Sequence, residues 1–128
     1  MSLFNNIFGN DEKIPTPRVN WQPLTTLDQL EDIIEISAER PVVIFKHSTR
    51  CSISRMALKN FENDFDINDK VTPYYLDLLN YKNISSEIAD RFNVVHHSPQ
   101  LLLIKNGKSV YDVSHDGIDV GLLKKKID

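Results

Sequence analysis

The Asn106-Gly107 pair constrains this chain more than any other feature, because it separates two strand-prone runs, Gln100–Lys105 and Ser109–Val113. Asn-Gly accepts the positive φ that both central positions of a type I′ turn require, so the runs are read as an antiparallel hairpin. Before Pro99 a different rule holds. Strand-like runs alternate there with segments of helical period, and strands separated by helices pair in parallel. Trp21–Leu24 reads as a short edge strand. A helix follows from Thr26 to about Glu39, with a capping-box spacing at Thr26 and Gln29 and an apolar stripe of Leu27, Leu30, Ile33 and Ile34. Pro41–His47 is a continuous β-branched and aromatic run, as expected of a strand covered on both faces. The polar loop Ser48-Thr49-Arg50 leads into a helix from about Cys51 to Asn63-Asp64. Its apolar residues are Ile53, Met56, Ala57, Leu58 and Phe61, and its polar residues are Arg55, Lys59, Asn60 and Glu62. Val71–Leu76 reads as a strand, and Asn83–Phe92 as a helix with Ile84, Ile88 and Phe92 on one face and Asn93 as its stop. Asp119–Ile127 closes the chain as a helix whose Lys124, Lys125 and Lys126 complement its C-terminal dipole.

This order predicts an α/β fold with a central mixed sheet of four to five strands, parallel in its first part and ending in an antiparallel hairpin, flanked by helices. That is the thioredoxin-like arrangement. A chain of 128 residues supports one core. The domain is placed at residues 21–128, after an irregular arm, residues 1–20, rich in Asn, Gly and Pro. Leu3, Phe4, Ile7 and Phe8 of the arm could dock on the domain. A net charge of −3 has the wrong sign for a protein that neutralises phosphates, so nucleic acid is not expected as a partner. The apolar runs are too short to span a membrane, and the start lacks a basic region followed by an apolar stretch. No membrane association is expected, and a reducing cytoplasm is the natural compartment.

The sharpest bound comes from cysteine, since the chain has one. Cys51 cannot close an intramolecular disulfide or supply a Cys-x-x-Cys pair. His47, His96, His97 and His115 lack metal-ligand spacing, so neither a metal nor a bound cofactor is expected. A cysteine that opens a helix lies beside unpaired N–H groups and the positive end of the dipole, which favour a thiolate. Residues 41–61 contain no Asp or Glu but do contain Lys46, Arg50, Arg55 and Lys59, a field expected to act in the same direction. Thr49, Arg50 and Ser54 are the candidate thiolate-stabilising residues. Ser54 stands three residues on, where a dithiol enzyme has its resolving cysteine. It cannot resolve a disulfide, but it is placed to hydrogen-bond the sulfur. Chemistry at Cys51 is therefore monothiol, and any bond formed there must pass to an external thiol. The alternative is a buried, inert cysteine.

His97-Ser98-Pro99-Gln100 precedes a strand where this topology carries a cis proline next to the cysteine. His97, Ser98 and Pro99 are candidate docking residues, because a backbone exposed at Ser98 pairs with an incoming chain in strand fashion. His47 is either a proton carrier for Cys51 or a polar cap on its strand. His96 and His97 are anion-binding candidates or ordinary loop residues.

Taken together, Phe45-Lys46-His47-Ser48-Thr49-Arg50-Cys51-Ser52-Ile53-Ser54, His97-Ser98-Pro99-Gln100, Lys105-Asn106-Gly107-Lys108 and Ser114-His115 resemble the YtxJ-like family of monothiol bacilliredoxins. The similarity runs from about Trp21 to the C-terminus. It implies a thioredoxin-like oxidoreductase that removes bacillithiol, a low-molecular-weight thiol acting as co-substrate, from proteins carrying mixed disulfides. It also implies that Cys51 is the attacking cysteine. Two positions depart from the family pattern: Ser52 stands where Pro is usual, and Asp116 where an aromatic follows the Ser-His pair. Bacillithiol carries carboxylates that suit a positive site, as do glutathione and coenzyme A. Two other readings remain open. One is a redox-inactive thioredoxin-like module that binds proteins through the proline loop. The other is a glutaredoxin-like iron-sulfur carrier, although Ser52-Ile53 replaces the Gly-Phe pair of such proteins.

Overall fold

A computed structural model describes residues 18–127. Its elements in chain order are β1 (Gln22–Pro23), α1 (Asp28–Ser37), β2 (Val42–His47), α2 (Ser52–Asp64), β3 (Thr72–Asp77), α3 (Lys82–Phe92), β4 (Gln100–Lys105), β5 (Lys108–Ser114), a single 3-10 turn (His115–Gly117) and α4 (Val120–Ile127). The strands form one sheet in the order β1-β3-β2-β4-β5. β1 and β2 each run parallel to β3, while β4 runs antiparallel to both β2 and β5. The mixed sheet follows the expected division at Pro99. Asn106 and Gly107 take φ of 52° and 76°, the positive values their hairpin turn requires.

Two apolar cores sandwich the sheet. Alternation along β2 sends Val42 and Ile44 into one core, with Leu30 and Ile33 of α1 and Ile84, Ile88 and Phe92 of α3. Val43 and Phe45 enter the other, with Phe61 of α2 and Val120 and Leu123 of α4. Both faces of the central strand are thus covered, which is why its first four residues, Val42–Phe45, are all apolar and its polar residues, Lys46 and His47, come only at its end. Asn93 ends α3 in the left-handed conformation, with φ 56° and ψ 51°.

Several boundaries differ from the sequence reading for local reasons. The helix expected at Thr26 begins at Asp28, with Leu27 as its cap. Half of the capping box forms: Gln29 Oε1 accepts from the backbone N–H of Thr25 and Thr26 at 2.7 and 3.0 Å, but the Thr26 hydroxyl caps nothing. Leu27 stays exposed, outside the stripe it was assigned to. The inward stripe of α2 is Ser54, Ala57, Leu58 and Phe61 at helical spacing, so it starts on a serine. Ile53 and Met56, read as part of the apolar face, remain 63% and 61% exposed. The end of the expected arm is attached to the domain. Val19 is buried, Arg18 Nη1 donates to Asn63 O at 2.7 Å, and the Asn20 N–H donates to Asn68 Oδ1 at 3.0 Å. Leu3, Phe4, Ile7 and Phe8 lie outside the described residues. Among the described residues no helix is long and apolar enough to cross a membrane.

Phe61 stacks on Trp21 and contacts the rings of Phe45 and Phe65. Phe61→Ala is expected to cost about 3–5 kcal/mol in urea denaturation. Ile53→Ser in the same helix should change stability by no more than about 0.5 kcal/mol.

Candidate active site

The C-terminal ends of β2 and β3 and the N-terminal end of β4 meet at one end of the sheet, since His47 pairs with Asp77 and Lys46 with Gln100. Cys51 sits on the loop leaving β2 and is the cap residue of α2, with extended backbone (φ −101°, ψ 121°). Its N–H donates to Ser48 O at 3.2 Å and its carbonyl accepts from the Arg55 N–H at 3.0 Å, closing a tight turn. The side chain is partly exposed. It stands at the start of α2, where first-turn N–H groups lack helical partners.

Ser54 is fully buried beneath this turn. Its Oγ accepts from the Ser48 N–H at 3.0 Å and lies 2.7 Å from His47 Nδ1. Burial is the main influence on His47 and holds its pKa below 6.5, with Arg55 adding to the effect against Asp77, Ser54 and Glu62. A neutral ring whose Nδ1 accepts the Ser54 proton satisfies all three groups. The hydrogen bond from Ser54 to sulfur suggested by the sequence is therefore replaced by a latch between β2 and the first turn of α2. His47 is a buried member of that latch. Thr49 and Arg50 are exposed on the loop, and Thr49 O accepts from Arg55 Nη1 at 3.0 Å, which keeps that guanidinium beside the cysteine turn.

Lys46 does not join the cations around Cys51 as expected. It shares the face of Val42 and Ile44, opposite the α2 face, and is fully buried with Nζ 2.7 Å from His96 Nδ1. Burial lowers its pKa from 10.5 to about 8. His96 is also held below 6.5, by burial first and then by Lys46 and His97. Ser85 Oγ lies 3.2 Å from the same Nδ1. Sequence reasoning missed this cluster, although strand alternation already placed Lys46 on the wrong face for Cys51.

The segment before β4 is held from below by Gln100, whose Nε2 donates to Val95 O at 2.9 Å. Ser98-Pro99 is a cis peptide, as the sequence position suggested. Ser98 Oγ is sealed from solvent without a partner. Pro99 O accepts from the His115 N–H at 3.1 Å, and the His97 and His115 rings meet edge to face at 5.7 Å. His115 in turn lines a groove of about 370 Å³ with Asp116 and Ile118, facing Ser52, Ile53 and Met56 of α2. The proline loop therefore reaches the cysteine side of the molecule through His115. Both departures from the family pattern, Ser52 and Asp116, line this one groove.

Residues 22–123 match the sequence profile of the family described as monothiol bacilliredoxin BrxC. The chain belongs to that family. Solved structures agree on the fold. This bacilliredoxin chain is 31% identical to a protein described as a candidate oxidoreductase with a thioredoxin fold, over 84% of this chain and 94% of that one, with a TM-score of 0.73. It is 25% identical to thioredoxin from Malassezia sympodialis over 91% and 96% of the two chains, with a TM-score of 0.65. Mitochondrial thioredoxin 3 from Saccharomyces cerevisiae matches at 20% identity over 82% and 91%, with a TM-score of 0.63. The chain is a thiol redox protein of thioredoxin fold.

Ser54→Ala leaves the Ser48 N–H and the His47 ring without their shared partner, and should destabilise the bacilliredoxin by about 1–3 kcal/mol in chemical denaturation. Lys46 gives a pH signature. Its folded value of about 8 lies below the ordinary 10.5, so between those limits the unfolded chain holds the extra proton and stability rises with pH. The stability difference between the natural protein and Lys46→Met is expected to shift in favour of the natural protein as pH climbs above 8. A flat difference would show that the buried amine does not titrate.

Proposed function

We propose that this protein takes a low-molecular-weight thiol, bacillithiol, off client proteins through Cys51 alone. The thiolate attacks the small thiol's sulfur in the mixed disulfide. That S–S bond breaks, its electron pair leaves on the client cysteine, and a new disulfide joins Cys51 to the small thiol. A second free small thiol then attacks the sulfur attached to Cys51. Cys51 leaves as a thiolate, and the two small thiols depart as their symmetrical disulfide.

One observation carries this reading: the only sulfur nucleophile is partly exposed on the cap of α2, while the residue three positions on is a buried serine whose hydroxyl is committed to His47 and Ser48. Arg50, Thr49 and the first-turn amides stabilise the thiolate in this reading. His97, Ser98 and Pro99 dock the client strand, and His47 positions the loop through Ser54. The family description supports the choice of thiol, and the reading implies a reducing compartment, the cytoplasm.

The test mixes reduced protein with a bacillithiolated client and follows intact masses. The protein should gain one bacillithiol as the client loses it, and Cys51→Ser should abolish the transfer. A client released at an undiminished rate by Cys51→Ser would overturn the proposal. So would a natural protein that never carries the adduct.

A further inference from the structure

Although the chain has a net charge of −3, no Asp or Glu lines one groove beside its cysteine loop. The groove, about 450 Å³, is lined by Thr49, Arg50, Leu79, Asn80 and Lys82. Thr49 and Arg50 are the two residues directly before Cys51, and the other wall is the turn from β3 into α3. Neither bordering stretch, residues 41–61 or residues 78–86, contains an Asp or Glu. Both charged side chains lining the groove are therefore cations. Among the described residues the ion pairs are Arg91 with Glu31 and Glu87 and Lys124 with Asp66, so Arg50 and Lys82 enter none. Asp77, half-buried at the end of β3, is the nearby carboxylate: its Oδ2 accepts from Asn80 Nδ2 at 2.8 Å, and its Oδ1 is sealed off without a partner. The residues that follow Cys51 line a groove of different character, in which exposed Ile53 and Met56 stand with Ser52, His115 and the acidic Asp116 and no Lys or Arg.

We propose that the groove formed by Thr49, Arg50, Asn80 and Lys82 is the subsite for the anionic part of a carboxylate-bearing low-molecular-weight thiol, occupied while that thiol's sulfur is bonded to Cys51. The inference rests on the exchange reading and adds an orientation to it. A mixed disulfide has a small anionic half and a polypeptide half, and the two sides of Cys51 differ in the same sense. With the anionic half held by Arg50 and Lys82, the sulfur presented to Cys51 is the small thiol's. The bond that forms is from Cys51 to the small thiol, and the bond that breaks releases the client as its thiolate. Attraction between two cations and carboxylates near a surface also raises the local concentration of the small disulfide, and salt screens it.

The experiment reacts reduced protein with three symmetrical disulfides of different charge: dithiodiglycolate, which is anionic, hydroxyethyl disulfide, which is neutral, and cystamine, which is cationic. Formation of the Cys51 adduct is timed by intact mass at low and high salt. The anionic-to-neutral rate ratio should exceed the cationic-to-neutral ratio and fall as salt is added. Lys82→Gln and Arg50→Gln should each lower the anionic-to-neutral ratio by about two- to fivefold. Lys125→Gln, exposed on α4, controls for net charge and should leave the ratio as it is. A ratio unmoved by Lys82→Gln, or moved equally by Lys125→Gln, overturns the subsite while leaving exchange at Cys51 intact. Failure of all three disulfides to react overturns the exchange reading itself.

Discussion

The position of the cysteine depends on one shared hydroxyl. Ser54 Oγ holds the Ser48 N–H and the His47 ring together, and through them it ties the last residue of the central strand to the first turn of the helix that Cys51 caps. The latch is buried, so leaving either partner unpaired is expensive. It turns a flexible polar loop into a fixed turn, and the fixed turn keeps the thiol at the surface. A serine at that position therefore completes the site mechanically, although it contributes no redox chemistry.

A second polar cluster, with Lys46 and Ser85 buried and His96 at the surface, acts on the other face of the same strand. Lys46, His96 and Ser85 join β2, α3 and the segment that leads to Pro99, with no carboxylate among these contacts to compensate the amine. Together with Gln100, which braces the backbone at Val95, they position the proline loop relative to the end of β2. The central strand thus supports both halves of the site with consecutive residues: His47 on the cysteine side and Lys46 on the side of α3. An apolar residue at either place would pack, but it would not register the loops against each other.

Much of this was legible in the sequence. Continuous strand-prone runs and helical patterns located each element of the sheet and its covering helices, Asn106-Gly107 located the hairpin, and Cys51, Ser54 and Pro99 marked the site by their place in that order. The misreadings share a physical cause. Ile53 and Met56 are apolar letters just outside the inward stripe of α2, so counting hydrophobic residues shifted the phase by one. Lys46 was grouped with Arg50 and Arg55 because it is near Cys51 in sequence, but strand alternation turns it to the far face. The Ser54 hydroxyl was assigned to sulfur because proximity along a helix does not reveal which of several partners is better desolvated. The basic groove was invisible for another reason: its two walls come from loops about thirty residues apart, and their adjacency exists only after β2 and β3 pair.

The engagement of Ser54 also bears on turnover. A sulfur introduced at that position would have to give up the short contacts to His47 and Ser48, so a self-regenerating dithiol is opposed by packing as well as by residue identity. Under the proposed exchange chemistry, each cycle then ends in a bimolecular encounter with a diffusing reductant. On the exchange reading proposed above, throughput is coupled to the abundance of that pool, and depletion of the pool would leave the protein in its loaded form.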